Sequence, residues 1–432
     1  MGTSAILLIL AALFVLLGAG VWIGVALLGT AWFALEMFSN RIPGDAMVLS
    51  AWSAMSSWVL TTLPLFIWMG EILLKTRLSE GLFNGLAPWI RQLPGRLLHV
   101  NVLGCTIFAS ASGSSAATCA MVGKISLPEL SRRGYPEAMA IGTLAGSGTL
   151  GLMIPPSIMM IIYGVSADVS IGKLFMAGVL PGLLIAGLFM AYVAIWSLFN
   201  KDRIPPADPA LPFMQKLKAT RQLLPMVALV AVVLGAIYGG LTTPTEAASL
   251  GVVGAFALAA IQGELSWKLF RDSLVASTRL YCMIALILCG SAFLTLAMGF
   301  IGLPRALAEW IASLALSPSG LLLVLLVFYI VLGCFLDGIS MIVLTTAVLI
   351  PTVTAAGIDL LWFGIFVVVV VELAQITPPV GFNLFVLQGM TGRQITYIAY
   401  AALPYFLLML LALFLIWAFP DLVTAIPRQM KS

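Results

Sequence analysis

GSGTLGLMIPPS at 146–157 and ELAQITPPVGFN at 372–383 are the two stretches on which the reading of this chain turns. Each lies inside a long apolar segment, and each carries two consecutive prolines, Pro155-Pro156 and Pro378-Pro379. Proline removes a backbone donor and clashes with the preceding turn, while glycine tolerates conformations that end a helix. Both segments are therefore expected to be helices interrupted in their middle.

The two stretches are copies of one design. An offset of 223 residues also places Pro128 on Pro351, Gly134 on Gly357 and Pro181 on Pro404. Upstream, with a small shift, Trp89-Ile90 meets Trp310-Ile311 and Leu103-Gly104-Cys105 meets Leu332-Gly333-Cys334. Self-similarity at a fixed spacing is the signature of a duplicated unit. The first copy covers 1–200, the second 222–425, and the join at 201–221 is the one long polar stretch.

Composition supplies the solvent. Of 432 residues 62% are hydrophobic and 9% charged, against roughly 25% charged in a soluble domain. Runs long enough to cross a hydrocarbon core of about 30 Å, roughly 20 residues each, recur from Ile6 to Phe419 and suggest ten to twelve crossings. No basic region precedes the first run, so no cleaved signal peptide is expected. The stretch 3–38 reads as one tilted helix or as two short helices broken at Gly18 to Gly20, and the repeat favours the two. The net charge of +4 fits a cytoplasmic excess of Lys and Arg and gives no reason to expect nucleic acid.

Cytoplasmic loops are enriched in Lys and Arg, which orients the copies separately. Copy one carries Arg91, Arg96, Lys124, Arg132 and Arg133 around its short apolar segments, whereas copy two has no Lys or Arg between Arg305 and Arg393. The copies are expected to face opposite ways, an inverted repeat of the kind that places substrate and ion sites near the midplane. Segments 200–222 and 263–279 then lie in the cytoplasm, and the N-terminus, 241–246, 303–318 and 351–358 outside. Arg428 and Lys431, at a C-terminus placed outside, run against the rule.

Between basic residues at both ends, the first hairpin at 96–127 has arms of about 13 residues, each roughly 20 Å as helix and too short to cross. It reads as re-entrant, with its tip at Ser110 to Ser115; the second, at 320–350, has its tip near Asp337-Gly338-Ile339-Ser340. Broken helices follow at 137–165 and 358–388. Unwound backbone at membrane depth is tolerated only where protein buries it or a cavity hydrates it, and its freed carbonyls can hold Na⁺. A lone Gly or Pro in a membrane helix is packing or a kink. A matched pair of hairpin and broken helix points to a transport site, strengthened by the ionisable Asp337 and Glu372.

Other features read as structural. Glu246 in LTTPTEAAS sits near a helix end, and Gly20-x-x-x-Gly24 and Gly235-x-x-x-Gly239 are close helix contacts. The five cysteines fall in apolar runs and read as small core residues. His99 stands alone, with no ligand spacing around it. Gly123-Lys124 and Gly172-Lys173 lack the remainder of a phosphate-binding loop. An enzyme, or a non-transporting scaffold, is the remote alternative.

The runs ASASGSSAATCAMVGKISLPELSRRGY, GTLAGSGTLGLMIPPSIMMIIYG, GGLTTPTEAA and ITPPVGFNLFVLQGM resemble the large membrane subunit of the tripartite ATP-independent periplasmic (TRAP) transporters. That resemblance implies an all-α elevator-type permease of the bacterial inner membrane, driven by Na⁺ and without other cofactors. It also implies a periplasmic binding protein, an organic acid substrate, and a small four-helix subunit, here expected as a separate chain. Carried over by motif, the first ion site takes Ser112, Gly113, Ser114, Ser115, Gly146, Ser147 and Thr149. The second takes Asp337, Gly338, Thr377, Pro379 and Gly381. The substrate region takes Ser110, Thr118, Pro155, Pro156, Ser157, Ser340, Pro378 and Asn383. A stand-alone Na⁺- or H⁺-coupled carboxylate carrier is the competing reading.

Overall fold

The computed structural model describes residues 3–76, 80–206, 211–221, 223–302, 317–333, 336–378 and 381–430. Every regular element among them is helical. In copy one, α1 (Thr3–Gly18) and α2 (Ile23–Phe38) are separate helices turned at Gly20, whose φ of 77° suits glycine. Next come α3 (Pro43–Met55), α4 (Thr62–Leu74) and α5 (Glu80–Ile90). The first hairpin is α6 (Leu98–Ser112) and α7 (Ser115–Arg132), and the first broken helix is α8 (Glu137–Thr149) with α9 (Ile158–Ala167). A long helix, α10 (Ile171–Phe199), ends the copy, and the join contains α11 (Phe213–Thr220).

Copy two runs through α12 (Leu224–Tyr238), α13 (Pro244–Ile261) and α14 (Trp267–Ile301). It continues with α15 (Pro318–Gly333), α16 (Gly338–Ala355), α17 (Leu360–Gln375), α18 (Phe382–Thr391), α19 (Ile395–Ala418) and the short α20 (Asp421–Thr424). Among the described residues the halves differ in the helix that precedes each hairpin unit. Where α14 is continuous over 35 residues, copy one bends by 58° between Met55 and Trp58, at the Ser56-Ser57 pair.

Four helices, α10, α13, α14 and α19, are individually long and apolar enough to cross a membrane, and bent pairs raise the number to seven among the described residues. By length and composition the described helices thus supply up to seven of the ten to twelve expected crossings, and five shorter apolar helices of 10–17 residues, α2, α6, α9, α15 and α17, stand beside them. Not every proline ends a helix, since Pro128, Pro181 and Pro404 lie inside α7, α10 and α19. Neighbouring helices and local backbone adjustment can re-satisfy the groups that a single proline frees.

Packing crosses between the copies. α2 lies against α14 and α13 against α4; α8 lies against α19 and α17 against α10; α7 lies against α18 and α16 against α9. The closest approach of α2 and α14 uses Gly24 and Gly290, where a Cβ on Gly290 would sit 2.6 Å from the Gly24 carbonyl oxygen. Gly20 and Gly235 meet nothing within 4 Å, so only Gly24 of those motifs makes the expected interhelical contact. Glu246 is structural as expected, closing a capping box with Thr243 at the start of α13. Cys105 and Cys119 are buried, but Cys282 is exposed on the apolar surface of α14 and corrects the expectation that the cysteines are core residues. Cys334 lies outside the described residues.

Candidate functional site

The tip of the first hairpin is built by two caps. Gly113 ends α6 in the left-handed region, at φ 58°, and Ser114 begins α7 by accepting the Ala117 N–H at 3.5 Å. The Ser112 and Thr118 hydroxyls bond each other at 2.6 Å across the arms, while Ser110 donates to the Ile107 carbonyl at 2.6 Å. Beyond Thr149 the α8 backbone tightens into three-residue turns, with Leu152 N–H donating to Thr149 O at 2.8 Å. After Pro155-Pro156, Ser157 restarts the helix as the cap of α9 and donates its hydroxyl back to the Leu152 carbonyl.

This tip is wedged into both breaks. A Cβ on Gly151 would meet Ser114 O at 2.6 Å and Thr118 Oγ1 at 2.7 Å, and one on Gly113 would meet Pro156 O at 3.2 Å. Ser115 donates to Asn383 Oδ1 at 2.8 Å, and Asn383 Nδ2 donates to the Ala145 carbonyl at 3.1 Å. One amide therefore joins hairpin α6–α7, the first broken helix and the second.

Glu372 completes the junction. Its position corresponds to Thr149 at the 223-residue spacing, and the Thr149 hydroxyl stands 3.5 Å from Glu372 Oε2 while donating to Gly146 O at 2.8 Å. Glu372 is fully buried and its Oε1 has no hydrogen-bond partner; the buried Ser147 Oγ likewise has none. Such atoms are costly in apolar surroundings, and as oxygens with free lone pairs they fit a cation. Among the described residues no group of three or more His, Cys, Asp or Glu side chains converges on a common point.

The second hairpin differs in chemistry. Asp337 caps α16, accepting from Ile339 N–H at 3.0 Å and Ser340 N–H at 3.4 Å, and takes the Ser340 hydroxyl on its other oxygen. No hydrogen bond joins Asp337 to Thr377. A Cβ on Gly338 would meet Val371 Cγ1 at 2.5 Å and Met159 Cε at 3.1 Å, so this tip also lies between the two broken helices. Thr377 donates to Leu373 O at 2.7 Å, and Gly381 folds back so that a Cβ would lie 2.8 Å from Gln375 O. Pro378 is exposed, whereas Pro379 lies outside the described residues.

Sequence reasoning singled out Glu372 but had no signal for its contact with the first break, which arises from a fold pairing α8 and α17. Gly146 has a packing role that the motif did not show: a Cβ there would sit 2.6 Å from the Tyr405 side chain of α19. A cavity of about 960 Å³ opens between α3, α14 and the end of α9, lined by Arg41, Ser50, Ser57, Ser166, Ser291 and Thr295 among others. It was not anticipated, and none of the residues assigned to ions or substrate lines it.

Helices long and apolar enough to cross a membrane, packed around buried oxygens at a helix break, mark an integral membrane protein. The chain matches the family described as the tripartite ATP-independent periplasmic transporter, DctM component, over residues 10–422, and belongs to it. It is 32% identical over 384 residues to the C4-dicarboxylate TRAP transporter large permease protein DctM of Pseudomonas aeruginosa, covering 89% of each chain. To the isethionate TRAP transporter permease protein DctMQ of Oleidesulfovibrio alaskensis it is 34% identical, over 93% of this chain and 63% of that one. The ectoine TRAP transporter large permease protein TeaC of Halomonas elongata is 30% identical over 84% of each. The solved YdaH transporter of Alcanivorax borkumensis shares the fold, with a TM-score of 0.60 at 15% identity over 87% of each chain.

Proposed function

We propose that this chain is the Na⁺-coupled permease of a binding-protein-dependent transporter that imports an organic acid across the bacterial inner membrane. Its moving part is the unit of two re-entrant hairpins and two broken helices, and the two copies form an inverted repeat. The observation that carries this reading is the Ser115–Asn383–Ala145 link, which makes one hairpin tip and both breaks a single packed body. The crossed packing of α8 on α19 and α17 on α10 supports the repeat, because an exchange of copies by a local two-fold axis generates such pairs.

Ion coupling rests on the oxygens at the breaks, with Ser147 Oγ and Glu372 Oε1 available in the first. The substrate class follows from relatives named for C4-dicarboxylates, isethionate and ectoine. Those three solutes share an anionic carboxylate or sulfonate group. The large cavity beside α9 is then the vestibule that receives solute from the binding protein. A small four-helix subunit on a separate chain completes the complex.

Reconstitution tests this reading. Proteoliposomes holding this chain and its small subunit, with the binding protein outside and an inward Na⁺ gradient, should accumulate the acid, and each omission should abolish uptake. Uptake by this chain alone would establish the stand-alone carrier, and uptake indifferent to Na⁺ would remove the coupling ion.

A further inference from the structure

Side-chain hydrogen bonds sort the helices into two sets. Within the hairpins and broken helices they run from Ser115 to Asn383, from Asn383 to Ala145 O, and from the Tyr163 hydroxyl of α9 to Leu360 O of α17 at 2.8 Å. The flanking helices α1–α4 and α12–α14 form a frame with bonds of its own: Thr62 pairs with Thr245 at 2.6 Å, and Trp68 Nε1 donates to Ser273 at 3.1 Å. Among the described residues one side-chain hydrogen bond joins the two sets, from the Ser291 hydroxyl of α14 to the Val343 carbonyl of α16 at 2.8 Å. We infer that Ser291 is a positioning residue for transport, a latch that holds the hairpin-and-break unit in place on the frame. The inference rests on the reading above that this unit moves.

Ser291 belongs firmly to the frame. Its neighbour Gly290 presses α14 onto Gly24 of α2, and the Thr295 hydroxyl donates to the Ser291 carbonyl at 2.8 Å. Ser291 and Val343 are both buried. A hydroxyl has a single hydrogen to give, and here it is committed to Val343. Sliding α16 along α14 breaks that bond and leaves a buried donor without a partner, which is costly in apolar surroundings.

The first hairpin meets the frame differently. A Cβ on Gly70 of α4 would lie 2.6 Å from Ala111 O of α6, so this contact is bare backbone with no side chain to hold the partner. The unit is therefore smooth where it touches α4 and pinned where it touches α14. The pin also borders the large cavity, two of whose walls, α3 and α14, belong to the frame while Val165 and Ser166 of α9 belong to the unit. Holding the unit at Ser291 fixes the opening between those walls.

The test follows the motion itself in the full-length chain, in lipid nanodiscs and a cysteine-free background. Dyes on cysteines at 241 in the frame and 355 in the unit, both exposed positions, report the separation of the two bodies by single-molecule energy transfer. In Ser291→Ala the dwell at the separation of the described structure should shorten about threefold, the effect of losing one interhelical hydrogen bond of ordinary membrane strength. Ser291→Thr keeps the hydroxyl and should restore most of the dwell. Ser277→Ala removes another buried hydroxyl of α14, one bonded within its own helix to Leu274 O at 2.9 Å, and should leave the dwell unchanged. A wild-type dwell in Ser291→Ala, or equal shortening in Ser277→Ala, overturns the latch and leaves the moving unit standing. One unchanging separation in all four proteins refutes the moving unit and the latch together.

Discussion

Replacing Asn383 by alanine probes the junction most directly. The side chain is fully buried and makes two hydrogen bonds between helices, to Ser115 at 2.8 Å and to Ala145 O at 3.1 Å. Hydrogen bonds between membrane helices contribute about 0.6 kcal/mol each, and at most about 1.7. Two such bonds and the cavity left by truncation together predict a loss of about 2–3 kcal/mol for Asn383→Ala. Ser115→Ala removes one bond and should cost about 0.6 kcal/mol. The double variant should then cost less than the sum by about 0.6 kcal/mol, because the shared bond is lost once. Reversible denaturant unfolding in mixed micelles, run on all four proteins, measures this coupling. Single costs that add to within about 0.3 kcal/mol would show that Ser115 and Asn383 do not bond, and the picture of one packed body would fail with them.

Three further outcomes are expected. Ser114→Ala and Thr377→Ala should each raise the Na⁺ concentration for half-maximal uptake in the reconstituted system and leave the binding protein's affinity for solute unchanged; wild-type Na⁺ dependence in both would move the ion sites away from the breaks. Gly381→Ala should cost about 1–3 kcal/mol by overpacking, since its Cβ would stand 2.8 Å from Gln375 O and 3.0 Å from Thr377 O; a wild-type unfolding curve would show that this turn is looser than described. In a cysteine-free background, an impermeant thiol reagent added outside should label a cysteine placed at 355 and not one placed at 210, and the reverse pattern would invert the topology.

Much of the local structure was legible because it rests on backbone chemistry. The paired prolines marked the two breaks, Gly18 to Gly20 marked the split between α1 and α2, and the run LTTPTEAAS placed Glu246 near a helix end. Side-chain roles were less legible. Asp337, carried over by motif as an ion ligand, also caps α16 with its carboxylate. Gly146 reads as part of an ion site, yet its missing Cβ also admits Tyr405. These assignments depend on which helix lies opposite, and a one-dimensional pattern does not contain that information.

The sequence by itself determined that this is a helical membrane protein with two helix breaks at its paired prolines, because hydrophobicity, proline and glycine act on the chain locally. Only the tertiary structure decided that Glu372 of one half meets Thr149 of the other, and that Asn383 ties a hairpin tip to both breaks. The physical reason is that these contacts join residues far apart in the chain, and they exist only after helices from the two copies have packed across each other.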